Sequence, residues 1–260
     1  MKQSIAARFI AEGRSEVGLH RNGNEDSALI NGALIAVADG MGGHAGGEVA
    51  SKVAITTLAQ ILPLLNNNEM DSESLEDFLL TSLLEVDHEI GETAAANDRL
   101  SGMGTTLTAL ALYREIVYVL HAGDSRAYRL RGKELTQLTK DHSVVQELID
   151  SGAITETEAF IHPQRSVLTN VLMGQGNITP LLIAYEVKPG DKFLLCSDGL
   201  NTVVSNDEIK AGLISANSIE NAIDNLIALT YERGAPDNVT IVVAEVGTGD
   251  TATEFIGAAK

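Results

Sequence analysis

The chain has 260 residues, 44% hydrophobic and 21% charged, with 36 acidic against 18 basic residues and a formal net charge of −18. That length and balance permit a sizeable buried core and exclude a disordered chain. The acid excess argues against nucleic acid as a partner, because the phosphate backbone would be repelled. A single cysteine, Cys196, excludes an internal disulfide and fits a reducing cytoplasm. The longest apolar runs, "ALIAVA" and "TLTALALY", are too short for a membrane span, and the first residues lack the pattern of a signal peptide.

In chain order, "SALINGALIAVAD" reads as two strands around an Asn31-Gly32 hairpin turn. A glycine-rich loop follows, "DGMGGHAGGE". Glycine weakens regular structure, so such a density needs a reason: a tight turn, or a close approach of backbone to an ion or phosphate. "GGEVASKVAITTLAQILPLL" is a helix with Val49, Val53, Thr57, Ile61 and Leu64 on its apolar face. "SLEDFLLTSLLEVDHEIGETAAA" is a second, with Ser74 as its expected N-cap. From Thr105 the pattern turns to short β-branched runs: "TTLTALALY", "EIVYVLHA", "SRAYRLRGKELTQLT", "TPLLIAYEV", "DKFLLCS" and "NVTIVVAEV". A helix at "SVVQELIDSG", an irregular stretch "ITETEAFIHPQRS" and a helical pair from about 206 to 232 interrupt them. Residues 248–260 read as a flexible tail after a single domain over 1–247. Strands and helices in non-alternating order predict an α+β fold, helices covering antiparallel sheets.

Several acids stand at the ends of strand-like runs: Glu25 and Asp26 in "RNGNEDS", Asp39 in "VADGMGG", Asp124 in "HAGDSR", Asp198 in "LLCSDGL" and Asp237 in "GAPDNVT". One such acid is ordinary turn chemistry. Five places at strand ends can converge on one point, and carboxylates so gathered repel unless a cation neutralises them. No Cys/His cluster stands ready for zinc, and an all-oxygen set suits Mg²⁺ or Mn²⁺.

These motifs, with "GMGTTL", "LTKDHS", "LTNVLMG" and "APDNVTIVV" in the same order, resemble the bacterial metal-dependent Ser/Thr protein phosphatases of the PP2C (PPM) family. The resemblance runs from about Gly13 to Val246. It implies a β-sandwich of two antiparallel sheets flanked by α-helices, with a metal cleft at one end. It implies that Asp39 bridges two core ions of Mn²⁺ or Mg²⁺, with the Gly40 carbonyl beside it, and that Glu25 holds the second ion. Asp26 would act mostly through bound water, and Asp198 and Asp237 would complete the core set. Asp124 with Asp198 would form a weaker third site. Arg21 would bind the substrate phosphate, and His44 would protonate the leaving alcohol.

The implied reaction is hydrolysis of phosphoserine and phosphothreonine by direct attack of a metal-bridging hydroxide, without a covalent enzyme intermediate. The implied partners are phosphorylated proteins, among them a bacterial Ser/Thr kinase and its substrates; no nucleic acid or membrane is expected, and the chain is expected to be a cytoplasmic monomer. Small phosphomonoesters would enter the same cleft and are not separated from phosphoproteins by the sequence. The segment at about 143–166 corresponds to the family's flap beside the cleft. Cys196, inside an apolar run, is read as a buried small hydrophobe.

Overall fold

A computed structural model describes residues 7–42, 46–67, 69–249 and 251–260. Strands β1 (Arg8–Glu16), β2 (Asp26–Ile30) and β3 (Leu34–Met41) precede helices α1 (Gly46–Leu58), α2 (Leu62–Asn67) and α3 (Ser72–Ala95). Next come β4 (Gly104–Thr105), β5 (Leu107–Tyr113), β6 (Ile116–Ala122), β7 (Arg126–Arg131) and β8 (Glu134–Gln137). Short helices α4 (Val144–Asp150) and α5 (Glu156–Ala159) lead to β9 (Leu181–Glu186) and β10 (Lys192–Cys196). Helices α6 (Asp198–Asn201), α7 (Asn206–Ser215) and α8 (Ile219–Glu232) precede β11 (Val239–Gly247) and β12 (Glu254–Gly257).

The strands form two antiparallel sheets, ordered β1-β11-β10-β7-β8 and β12-β2-β3-β5-β6-β9, with β4 added to β3. They stack as a sandwich, and helices cover both outer faces, which is the expected α+β architecture. The pleat shows why the strands read as continuous apolar runs. Ala28, Ile30, Ile35, Val37, Phe193, Leu195, Val242 and Ala244 pack between the sheets. Their sequence neighbours Leu29, Leu34 and Ala36 pack outward against α1 and α3, and Leu194, Val243 and Ile241 against α7 and α8. Alternate residues on one strand therefore serve two different cores. Cys196 sits in the outer one, fully buried, and burial pushes its thiol up to about 12.

The hairpin at Asn31-Gly32 is present, with Asn31 Oδ1 accepting the Ala33 amide at 2.8 Å. Four expectations need correction. Residues 248–260 are not simply a tail: β12 pairs antiparallel with β2, and Ile256 packs between the sheets. Without it β2 would be an exposed edge with unpaired backbone groups. The cap of α3 is Asp71, whose side chain accepts the Ser74 amide at 2.9 Å, rather than Ser74 itself. The buried stripe of α1 is Ala50, Ser51, Ala54, Ile55 and Leu58, with Val49 and Val53 only half-buried. Small residues face the sheet because the helix sits close to it. Finally, 46–67 forms a 22-residue helical stretch whose most apolar 18-residue window has a mean hydropathy of 1.3, apolar enough by composition to cross a membrane. Here it breaks at a 3₁₀ turn before Pro63, and α1 packs on β3, β2 and α3.

Candidate active site

The alternation that builds the inner core also aims the acids. Asp26 follows the parity of Ala28 and Ile30, and Asp39 that of Ile35 and Val37, so both point between the sheets. They are direct cross-strand partners on the β2–β3 ladder. The facing sheet supplies the others. Asp198 lies two residues past β10, and Asp124 two residues before β7. The β10–β7 register pairs Cys196 with Arg126, and its extension by two residues sets Asp198 opposite Asp124. Asp237 stands two residues before β11, the other neighbour of β10. Glu25 immediately precedes β2, held by its amide on Asn238 Oδ1 at 2.9 Å.

Electrostatics register the gathering. Asp39 is raised well above the ordinary carboxylate range, first by burial and then by Asp26, Asp198, Asp124 and Asp237. Asp26 is pushed up to about 7 by burial, against the hydrogen bonds from Ser197 and Thr240 and with the aid of Asp198 and Asp237. Asp124 rises to about 7 and Asp198 to about 6, again by burial first and neighbouring acids second. Burial also raises Glu25, against the pull of Arg21. A seventh acid, Asp141, is forked by Arg126 at 2.8 and 2.7 Å, yet still adds to the repulsion that raises Asp124 and Asp198.

The residues fit a metal. Asp26 Oδ1 is buried with no hydrogen-bond partner, an expensive state unless a cation or its water completes it. The donors are all oxygen and carry high negative charge, the preference of hard divalent ions. Among the described residues no three Asp, Glu, His or Cys side chains close into a ready cage around one point. A sparse set drawn from several strand ends suits ions that keep several waters. Glu25, Asp39, Asp198 and Asp237, with the Gly40 carbonyl, are the groups that could hold two ions, and Asp124 with Asp198 a third.

The glycines are explained by contact. A Cβ on Gly40 would lie 2.0 Å from the Gly47 carbonyl oxygen and 2.6 Å from that of Glu25. One on Gly47 would lie 2.9 Å from the Glu25 carboxylate. The start of α1, the end of β3 and Glu25 therefore touch backbone to backbone, and no side chain fits between them.

Arg21, expected to bind phosphate, is half-exposed and pairs with Asp237 at 2.5 Å. With His20, Asn22, Gly23, Asn24, Glu25 and Glu48 it lines a cavity of about 310 Å³. His44 lies outside the described residues. The segment at 143–166 forms α4 and α5 and carries two strongly exposed apolar side chains, Phe160 (69%) and Ile161 (83%). Its base is tied to the turn before Asp124, by the His142 amide on the Gly123 carbonyl and the Thr169 amide on the His142 carbonyl, both 2.8 Å.

Sequence reasoning missed the polar residues that hold the acids. Thr106 Oγ1 accepts the Asp39 amide at 3.0 Å and meets Ser125 Oγ at 2.8 Å, which joins the Asp39 and Asp124 turns. Asn238 Nδ2 donates to the Gly23 carbonyl at 2.9 Å and so braces the Glu25 loop. Ser197 and Thr240 hold Asp26. The only local signal was a hydroxyl or amide side chain one residue from an acid or on the same strand face.

Known proteins resemble this chain in sequence and in fold. The Protein phosphatase 2C family profile matches residues 24–223. The serine/threonine protein phosphatase PstP of Mycobacterium tuberculosis is 44% identical over 248 residues, 94% of this chain but 46% of that protein. This chain thus spans about half the length of that relative. The serine/threonine phosphatase stp of Listeria monocytogenes is 35% identical over 90% of this chain and 95% of its own. Among solved structures, the catalytic domain of PstP in complex with two manganese ions superposes with a TM-score of 0.83 at 40% identity, covering 92% of this chain and 99% of that one.

Proposed function

The chain belongs to the protein phosphatase 2C family, and on that premise we propose that it hydrolyses phosphoserine and phosphothreonine in proteins with the aid of divalent metal ions. The observation that carries the reading is the convergence of acids from both sheets on one end of the sandwich, around a buried carboxylate oxygen that lacks a partner. The solved PstP domain holding two manganese ions supports Mn²⁺ as a cofactor; Mg²⁺ as an alternative and a weaker third ion at Asp124 and Asp198 belong to the proposal.

The ions, when bound, supply positive charge that offsets the phosphate and makes water acidic enough to serve as nucleophile. The chain's own residues do the rest. Asp39, Glu25, Asp198 and Asp237 hold the ions, and Asp26 acts from behind through water. Arg21 exchanges Asp237 for the substrate phosphate, onto which its guanidinium forks. His44 gives a proton to the leaving serine or threonine oxygen, a strong base that departs poorly without one. The cavity beside Arg21 accepts the chain around the phosphorylated residue. The physiological setting is the reversal of Ser/Thr kinase signalling.

The test is phosphate release from phosphoserine and phosphothreonine peptides with Mn²⁺ or Mg²⁺ added. Turnover should appear with metal, stop with EDTA, and exceed turnover of a small sugar phosphate. Turnover undiminished in EDTA would refute metal dependence, and hydrolysis confined to the small ester would refute the substrate.

A further inference from the structure

Two hydroxyls outside the acid set converge on a single oxygen of Asp26, and a third hydroxyl and one side-chain amide stand behind them. Ser197 Oγ and Thr240 Oγ1 each stand 2.7 Å from Asp26 Oδ2. The pleat brings them there: Ser197 continues the inner face of Phe193 and Leu195, and Thr240 that of Val242 and Ala244. All three residues are buried.

The direction of each hydrogen follows from the partners. Ser197 Oγ already accepts the Thr240 amide at 3.0 Å, so its own hydrogen is free for Asp26. Asn24 Nδ2 donates to Ser15 Oγ at 2.8 Å, and Ser15 meets Thr240 Oγ1 at 2.7 Å. Thr240 spends its one hydrogen on Asp26, so Ser15 donates to Thr240. The chain from Asn24 through Ser15 and Thr240 thus runs one way, and Oδ2 can only accept. Oδ1 of the same carboxylate is the buried atom without a partner.

Resting on the metal-dependent reading above, we propose that Ser197, Thr240 and Ser15 are positioning residues: they clamp Asp26 by Oδ2, fix its rotation with Oδ1 bare towards the acid cluster, and so set the affinity of the site for divalent ions. Partners behind a metal-site carboxylate act in this way generally, because they fix its orientation and basicity. A neutral packing role would need shape at these positions, not donors. Here the donors are aimed.

The experiment is calorimetric titration of Mn²⁺ into the metal-free wild type and into Thr240→Val, Thr240→Ser, Ser197→Ala and Ser15→Ala, with thermal unfolding of each metal-free protein in parallel. Thr240→Val and Ser197→Ala should lose about tenfold or more in Mn²⁺ affinity, the scale typical of partners behind a metal ligand. Thr240→Ser, which keeps the hydroxyl, should retain the wild-type affinity, and Ser15→Ala should fall between. Unchanged affinity in Ser197→Ala and Thr240→Val would overturn the proposal. Equal losses in Thr240→Ser and Thr240→Val would overturn it too, since shape would then be the cause. If Thr240→Val fails to fold, Ser197→Ala decides alone. A wild type that binds no Mn²⁺ would sink the metal-dependent reading itself, an outcome distinct from variants that bind as well as a competent wild type.

Discussion

Asp26 and Asp39 face each other across the β2–β3 ladder, two like-charged carboxylates paired at the inner end of a buried sheet. Like charges directly opposite on a sheet are destabilising. Folding therefore leaves a local debt of repulsion that a cation would discharge. The position most exposed to that repulsion is Asp39, which also feels Asp198, Asp124 and Asp237.

Asp39→Asn should accordingly stabilise the metal-free protein while removing its response to metal. A gain of about 1 kcal/mol is the upper scale for relieving a like-charge cross-strand pair. For a chain of this size it would raise Tm by about 2–4 °C. Thermal unfolding in EDTA and in excess Mn²⁺ measures both effects. A lower metal-free Tm in the variant would show that Asp39 is held by favourable contacts instead.

The pH dependence has a definite sign. Burial and neighbouring acids lift Asp26 and Asp124 to about 7 and Asp198 to about 6 in the folded state, above the ordinary carboxylate range. The metal-free fold thus binds more protons than the unfolded chain, so its stability falls as pH rises through those values. His121 acts oppositely: burial lowers it to about 3, so its contribution is lost as pH drops below about 6.5. The clean window is therefore roughly pH 6.5 to 8. In EDTA, Tm should decline across it; in Mn²⁺, which needs the acids ionised, the decline should vanish or reverse. A flat profile in EDTA would contradict the gathered acids.

Asp87, buried in α3, accepts the amides of Met173, Gly174 and Gly176 at 2.9, 2.8 and 2.9 Å. The same loop bonds Thr105 through Leu172 in both directions, and Thr105 Oγ1 donates to the Asp39 carbonyl at 2.9 Å. Asp87→Ala orphans three amides and should cost about 3 kcal/mol, the range for losing a buried charged acceptor. Urea unfolding at saturating Mn²⁺ measures it; a cost within about 0.5 kcal/mol, the surface range, would show that the loop is held elsewhere.

Deleting residues 251–260 removes β12, its ladder on β2 and the bond from the Ala258 amide to the Asp26 carbonyl at 2.8 Å. The truncated protein should melt lower and associate through the uncovered edge of β2. Light scattering and thermal unfolding test this. A monomeric product with wild-type Tm would restore the view of these residues as a tail.

How far the sequence reveals this molecule depends on the range of the signal. The Asn31-Gly32 turn, the strand runs and the long helices are legible because turn chemistry and periodicity are local. The acids are legible because glycine and apolar runs mark where strands end. The return of β12 to β2 is not, since "TEFIG" is short and its partner lies more than 200 residues away. The clamp on Asp26 is hidden for the same reason: Ser197 and Thr240 reach it only through the register of β10 on β11 and the stacking of two sheets. The buried face of α1 eluded periodicity because close packing selects Ala and Gly, which carry little hydrophobic signal.

At the centre of the proposal, acids from both sheets would hold two divalent ions at one end of the sandwich, and both ions would depend on Asp39. Calorimetric titration of Mn²⁺ into the metal-free wild type, Asp39→Asn and Asp124→Ala tests it most directly. The wild type should bind two Mn²⁺ tightly per chain, both retained in Asp124→Ala and both lost or severely weakened in Asp39→Asn. Two tight sites surviving in Asp39→Asn, or both disappearing in Asp124→Ala, would contradict it.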